Sequence, residues 1–228
     1  MALILQIETA TTACSVALAQ DGKILALKER NERNIHAEVI TVFIEEVMAA
    51  AGKSYAELDA VAVSSGPGSY TGLRIGVSTA KGLCFAMDKP LIAVETLQAM
   101  ADGMLANPTD SNVLLCPMID ARRMEVYTAI FDHQANRIRP TSAEIIDANS
   151  FNDLLQQQPI LFFGDGADKC RSTFEGNTNA RFAADFINSA QYLTKRASEK
   201  FANAEFEDVA YFEPFYLKDF IAGKKAAQ

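Results

Sequence analysis

The chain has 228 residues, of which 49% are hydrophobic and 22% are charged, a composition that excludes a disordered or low-complexity protein. Its length fits either one large domain or two lobes of about 100 residues each. A formal net charge of -8 argues against independent binding to nucleic acid, because Lys and Arg contacts to phosphate supply most of the non-specific affinity. Any nucleic-acid role is therefore expected to run through a partner protein.

The cysteines and the amino terminus indicate the compartment. The chain has four widely spaced cysteines without a C-x-x-C pair, so a zinc knuckle and a thiol redox motif are excluded and reduced, buried thiols are favoured. The amino terminus lacks the basic start and long apolar run of a signal peptide, and no later run is long enough for a membrane span. The sequence predicts a cytoplasmic protein with no membrane association.

The first half of the chain predicts three strands followed by alternating helices and strands. In chain order the expected elements are strands at 3–7, 14–19 and 23–28, a helix at 35–51, a strand at 60–64, a helix at 72–87, a strand at 90–94 and a helix at 96–105. Asp21-Gly22 predicts the hairpin turn before the third strand. Gly52 is expected to end the first helix.

The second half repeats this order after the polar segment 107–112, which is the best candidate for a lobe boundary. The expected elements are strands at 114–120, 125–131 and 137–146, a helix at 151–157, a strand at 160–163, a turn at 164–166 and a helix at 189–203. In both halves the first strand ends on a carboxylate, Glu8 or Asp120. An internal duplication follows as a hypothesis.

Together the halves predict an α/β fold of two duplicated βββαβα lobes, residues 1–106 and 107–228. This arrangement resembles the ribonuclease H-like lobes shared by actin, Hsp70 and sugar kinases. Fold alone does not fix function, because one such fold supports many activities.

The most specific string in the sequence is the Gly-rich segment 65–76, which lies between a predicted strand and a predicted helix. Glycines allow close approach of the backbone, and Ser69 or Thr71 could cap the helix start, which also suits an anion. The spacing is not that of a Walker loop, since no Gly-Lys-Ser/Thr follows. A purely structural capped turn and an anion site both remain open, and the structural turn is the commoner arrangement.

The string G-P-G-S-Y-T-G-L-R-I-G at 66–76 occurs with Ile7-Glu-Thr-Ala-Thr, Ile119-Asp-Ala-Arg and Glu213-Pro-Phe-Tyr-Leu-Lys. With these motifs nearly the whole chain resembles the TsaB (YeaZ) family, the bacterial dimerisation subunits of the complex that makes threonylcarbamoyladenosine at position 37 of tRNA. The resemblance implies a non-catalytic subunit that binds and activates TsaD, with TsaE as accessory ATPase. It also implies a homodimer when the chain is alone, and tRNA contact only through the complex.

The catalytic relatives of the TsaD (Kae1) family carry the same Gly-rich loop and, after the next strand, two metal-binding histidines four residues apart. The corresponding positions here are Thr96 and Met100, whose hydroxyl and thioether do not suit such a metal. The chain's two histidines, His36 and His133, lie in different predicted lobes, and His36 is expected to be solvated or to cap a helix. The resemblance therefore implies no catalytic residue and no cofactor bound by this chain alone, with ATP and metal belonging to the complex.

The turn that follows the first strand occupies the place where actin-type ATPases hold phosphate and Mg²⁺, usually with an Asp and a glycine. This sequence has Glu8 and no glycine there, which weakens that interpretation, and a hairpin that satisfies its own backbone is the simpler account. Four hydroxyl groups remain candidates for contact with a nucleotide or anion: Thr9, Thr11, Ser69 and Thr71.

The helix predicted over 72–87 carries Gly72, Gly76 and Ala80 four residues apart, a smooth ridge that suits close approach of another helix. The helix at 35–51 is apolar over more than one face, which predicts a second packing surface. The resemblance implies that these two helices form a bundle with TsaD or with a second copy. We therefore expect the ridge to be solvated in the isolated chain, and predict six interface residues: Val39, Phe43, Leu73, Gly76, Val77 and Ala80.

The alternative function is an autonomous enzyme, either an actin-fold ATP-dependent kinase or a glycoprotease-like metalloenzyme. The missing histidine pair disfavours the metalloenzyme, because two imidazoles four residues apart on a helix face one ion. The departures in the phosphate turn disfavour the kinase.

Overall fold

The computed structural model describes residues 2–105 and 112–218, and within them two five-stranded sheets. The strands of the first sheet are β1 (Leu3–Glu8), β2 (Ala13–Gln20), β3 (Lys23–Asn31), β4 (Ala60–Ser64) and β5 (Leu91–Val94). Those of the second are β6 (Leu114–Asp120), β7 (Glu125–Phe131), β8 (Arg137–Ile145), β9 (Ile160–Phe163) and β10 (Ala180–Phe182). The helices are α1 (His36–Ala50), α2 (Tyr70–Met87), α3 (Thr96–Met104), α4 (Asn152–Leu155) and α5 (Thr194–Ala202).

The two sheets have the same topology. The strand order is β3-β2-β1-β4-β5 in the first sheet, and β10-β9-β6-β7-β8 in the second is the same order for the corresponding strands, written from the other edge. In each sheet three antiparallel strands are followed by two that lie parallel to the first. The predicted α/β fold class is confirmed, and the order βββαβ occurs in both halves, followed by α2 in the first and by the 3₁₀ helix Asp168–Phe174 in the second.

Strand β1 is buried on both faces because helices cover both sides of the first sheet. Leu3, Leu5 and Ile7 face the core formed with α1 and α2. Ile4 faces the opposite way, into a core that includes Leu193 and reaches α5.

Helices α3 and α5 connect the two sheets. Leu97 and Met100 of α3 pack with Leu115 and Ile119 of the second sheet, whereas α5 packs on the first sheet. Asp102 of α3, whose side chain is only 4% exposed, pairs with Arg196 of α5 at 2.6 Å. The two sheets are therefore connected through the contact between α3 and α5.

The predicted lobe boundary between residues 106 and 107 lies outside the described residues, and the division into two lobes stays a prediction. No helix within the described ranges is long and apolar enough to cross a membrane.

The second half departs from the predicted elements in short segments. The helix expected at 151–157 is the four-residue α4, and the one expected at 189–203 begins as a 3₁₀ turn, Ala190–Leu193, before α5. The 3₁₀ helix Asp168–Phe174 and β10 are not predicted from the sequence. These elements are too short to show a hydrophobic period.

The small residues of α2 face the interior of the chain. A Cβ on Gly72 would overlap the carbonyl oxygen of Thr9, and a Cβ on Gly76 would overlap Thr9 Oγ1. Ala80 is fully buried in the same core. The expectation that this ridge is solvated is therefore wrong, because the small residues let α2 approach the turn after β1.

The other four predicted interface residues also pack within the chain. Phe43, Leu73 and Val77 are buried, and Val39 is half-buried against the same core. The broad apolar face of α1 and α2 is explained by packing on the first sheet, so these side chains offer little surface to a partner. The open side of α2 instead presents Ser78, Gly82 and Phe85.

Two glycines of α2 provide a matched test of this orientation. Gly76→Ala places a methyl group against Thr9 Oγ1 and is expected to lower the free energy of unfolding by about 1–3 kcal/mol. Gly82→Ala meets no atom within 4 Å and is expected to raise it by about 0.5–1 kcal/mol, because alanine favours helix. Urea unfolding of both variants measures the difference, and equal stabilities would contradict the inward orientation.

Candidate functional site

The Gly-rich turn that precedes α2 packs directly on the turn after β1. Ser69 N donates to the carbonyl oxygen of Ala10 at 2.7 Å, and a Cβ on Gly68 would overlap that same oxygen. Ser69 Oγ accepts from Gly72 N at 3.3 Å and so caps α2, as the sequence predicts. The chain's own backbone therefore fills the space between the two turns.

The terminal motif Glu213–Lys218 also reaches this turn. Phe215 N donates to the carbonyl oxygen of Ser65 at 2.7 Å. Gly66 has φ +108°, and a Cβ there would lie 2.7 Å from the Phe215 carbonyl oxygen, so only glycine fits. The Tyr70 and Tyr216 rings lie 4.9 Å apart. Two of the motifs on which the family resemblance rests are thus in direct contact.

The four candidate anion-contact residues do not converge on one site. Thr9 is fully buried and its Oγ1 is directed at Gly76, while Thr71 is exposed on the first turn of α2. Thr11 lines a small cavity, but its Oγ1 accepts from Ala13 N at 3.3 Å. Ser69 is occupied as the α2 cap. The simpler account, a turn that satisfies its own backbone, fits these contacts.

Glu8, at the end of β1, is a fully buried carboxyl group. Its Oε1 accepts from Ala10 N at 2.5 Å and from Ser64 Oγ at 3.0 Å, while Oε2 has no hydrogen-bond partner among the described residues. Burial raises the pKa of Glu8 from its ordinary value of 4.5 to about 7. Through these two bonds the carboxyl group links the turn after β1 to the end of β4.

Thr96 and Met100, which the resemblance aligns with two metal-binding histidines of the TsaD family, both make contacts within the chain. Thr96 is fully buried, and its Oγ1 accepts from Gly66 N at 3.1 Å. Met100 is fully buried in the core between α3 and the second sheet. Within residues 2–105 and 112–218, no three His, Cys, Asp or Glu side chains cluster closely enough to hold a metal ion.

His36 and the cysteines have structural positions. His36 is 7% exposed, and its Nε2 lies 3.0 Å from the carbonyl oxygen of Thr11. The expectation of a solvated or capping histidine is wrong, because this ring anchors the start of α1 to the turn after β1. All four cysteines are free and buried, as the sequence predicts.

A cleft opens between the two sheets beside the turn after β1. Its cavity of about 300 Å³ is lined by Thr12, Asn31, Glu32, Arg33, Asp120 and Asp165. Asp165 Oδ1 accepts from Asp120 N at 3.0 Å, and the Asp120 carboxylate pairs with Lys169 Nζ. The carboxylate of Asp120 at the end of β6 is visible in the sequence, whereas the place of Arg33 in the same cavity is not.

Comparisons with known proteins give a consistent result. The family model described as TsaD, tRNA N6-adenosine threonylcarbamoyltransferase, matches residues 29–223. The chain is 32% identical over 228 residues to the tRNA threonylcarbamoyladenosine biosynthesis protein TsaB of Escherichia coli, and the alignment covers 97% of each chain. It is 29% identical over 231 residues to TsaB of Haemophilus influenzae, covering 97% and 96%. The solved structure of YeaZ from Pseudomonas aeruginosa superposes with a TM-score of 0.81 at 25% identity, covering 95% of this chain and 100% of that one.

The buried carboxyl group predicts a specific pH dependence of stability. Because the pKa of Glu8 is raised in the folded chain, its contribution to stability is fully present below pH 4.5 and is lost as the pH rises through about 7. Glu8→Gln removes this loss. As the pH rises from 4.5 to about 7, the free energy of unfolding of the variant should therefore increase by about 3 kcal/mol relative to that of the unmodified chain. Urea unfolding across this range measures the gain. The exposed Glu175→Gln is the control, and an equal pH profile for both variants would contradict the assignment.

Proposed function

Because the chain belongs to the TsaB family of tRNA threonylcarbamoyladenosine biosynthesis proteins, we propose that it is the non-catalytic subunit that binds and activates TsaD. TsaD in turn transfers threonylcarbamate to N6 of adenosine 37 in tRNA. The observation that carries this proposal is the pair Thr96 and Met100, which occupies the two positions of the metal-binding histidines in TsaD.

The surroundings of these two residues support a structural role. Thr96 Oγ1 is committed to Gly66 N of the Gly-rich turn, and Met100 packs with Leu97 and Leu115. A metal site at this position would need to displace a buried hydrogen bond and a buried apolar side chain. Both changes are unfavourable, so the chain keeps the fold of a transferase without its reactive centre.

The partner surface that we propose is the exposed face of α1 and α2, rather than the six residues predicted from the sequence. Phe85 is 85% exposed and Val42 is 47% exposed, although both are large apolar side chains. Gly82 and Ser78, on the same open side of α2, leave room for a partner helix. Exposed apolar side chains next to small residues favour helix–helix contact.

The remaining assembly follows the same resemblance. TsaE is the accessory ATPase, and two copies of the chain pair through this face when TsaD is absent. ATP and the metal ion belong to the complex, and tRNA is contacted only in the complex. The rival proposal of an autonomous kinase is disfavoured by the contact between Gly68 and Ala10, which fills the space beside the phosphate turn.

Ser78→Arg tests this surface. Ser78 is exposed in the isolated chain, so the arginine should leave the melting temperature within about 2 °C of the unmodified chain. In a packed helix interface the same side chain is expected to weaken TsaD binding by about 5- to 150-fold, because overpacking costs about 1–3 kcal/mol. Calorimetric titration of TsaD with each chain measures the affinity.

Ser172→Arg is the matched control, since Ser172 is an exposed serine of the 3₁₀ helix that follows β9. It should bind TsaD as the unmodified chain does. Equal affinities for Ser78→Arg and Ser172→Arg would reject the α1–α2 surface, and no binding by the unmodified chain would reject the proposed function.

A further inference from the structure

The turn between β6 and β7 presents two consecutive arginines in an uncommon backbone conformation. Arg122 has φ +74° and Arg123 has φ +50°. Both values lie in the left-handed region of the backbone, which residues other than glycine, Asn and Asp seldom adopt. Both residues are exposed, and neither makes an ion pair with any residue that the structure describes. Such backbone strain is typical of functional segments.

The neighbouring acidic and basic groups hold this turn without engaging the two guanidinium groups. Asp120 Oδ1 accepts from Arg122 N at 2.9 Å and pairs with Lys169 Nζ. Lys169 Nζ also donates to the carbonyl oxygen of Glu125 at 2.6 Å, and Glu125 N donates to that of Arg122 at 3.1 Å. The Asp120 charge is therefore balanced by Lys169, so two arginine charges stay available at the surface.

A third exposed arginine comes from the first half of the chain. Arg33, just after β3, lines the same cavity as Asp120 and is exposed. It also has no ion-pair partner within the described ranges. Arg33 in the cleft wall and Arg122–Arg123, which follow Asp120 closely in the chain, are thus three exposed arginines without an ion pair among the described residues, in a chain whose net charge is -8.

We propose that Arg122 and Arg123, together with Arg33, bind backbone phosphates of the RNA substrate when the chain is assembled with its transferase partner. This inference rests on the proposed function. The planar guanidinium fork matches the oxygens of a phosphate group. A phosphodiester carries one charge, whereas a nucleoside triphosphate inside the cleft carries several and would meet the carboxylates of Glu32, Asp120 and Asp165.

Salt dependence explains why the chain needs a partner for this contact. Each phosphate contact changes the slope of log K against log salt by about 0.7–0.9. Two or three contacts on an acidic protein give little affinity at physiological salt, but they add to the contacts that a partner supplies. The arginine turn is therefore expected to contribute to RNA affinity only in the complex.

The test compares complexes of TsaD with the unmodified chain, with Arg122→Gln/Arg123→Gln, and with Lys23→Gln/Lys89→Gln. The control removes the same charge at lysines for which the structure shows no ion pair. Fluorescence anisotropy gives the tRNA Kd of each complex from about 0.05 to 0.3 M salt. We expect the arginine variant to bind about 25- to 60-fold more weakly at about 0.1 M salt, with a slope smaller by about 1.4–1.8. The control and Arg122→Lys/Arg123→Lys should keep the slope of the unmodified complex.

The outcomes separate this inference from the proposed function. If the unmodified chain does not bind TsaD, the proposed function fails and the inference fails with it. If the complexes form and the arginine variant binds tRNA as the control does, or more weakly with an unchanged slope, the inference alone is overturned. It is also overturned if the isolated chain binds ATP and the arginine variant abolishes that binding, since the site then takes a nucleotide phosphate.

Discussion

The close approach of α2 to the turn after β1 is the constraint on which the rest of the structure depends. Gly68, Gly72 and Gly76 bring two backbones so near that any Cβ there would overlap Thr9 or Ala10. The Gly-rich turn is fixed by this contact, and two further segments attach to it. Thr96 Oγ1 accepts from Gly66 N, and Phe215 N donates to the Ser65 carbonyl oxygen, which sets the start of α3 and the path of the terminal motif.

This constraint also limits which chemistry the chain supports. Ala10, Thr96 and Met100, which stand where the resemblance implies phosphate or metal contacts in related proteins, are all buried. These positions are part of the core, while the outer face of α2 and the turn after β6 are exposed. We therefore propose that the protein contributes surface rather than a reaction, in assembly with the transferase.

Much of the fold could be predicted from the sequence, because long periodic segments such as α1, α2 and the strands at 3–7 and 125–131 bury one side or both. The direction of the α2 ridge could not, since small residues four apart indicate close approach without saying what approaches. The ridge at Gly72 and Gly76 was therefore assigned to a partner, although it contacts Thr9 within the chain. The Asp120-Ala-Arg sequence was visible as a family motif, but the left-handed conformation of Arg122 and its unpaired charge needed the three-dimensional structure.

The most direct test of the central claim is the rate of threonylcarbamoyl transfer to tRNA at fixed TsaD, with TsaE and substrates present, as the chain is added in increasing amounts. The chain alone should give no transfer, and the rate with TsaD should rise and level off when the chain saturates its partner. Glu45 and Ser78 lie on the exposed face of α1 and α2, and charge-reversing or bulky changes there should shift the titration to higher concentration without lowering the plateau. Transfer by the chain in the absence of TsaD, or a TsaD rate that the chain leaves unchanged, would contradict the account.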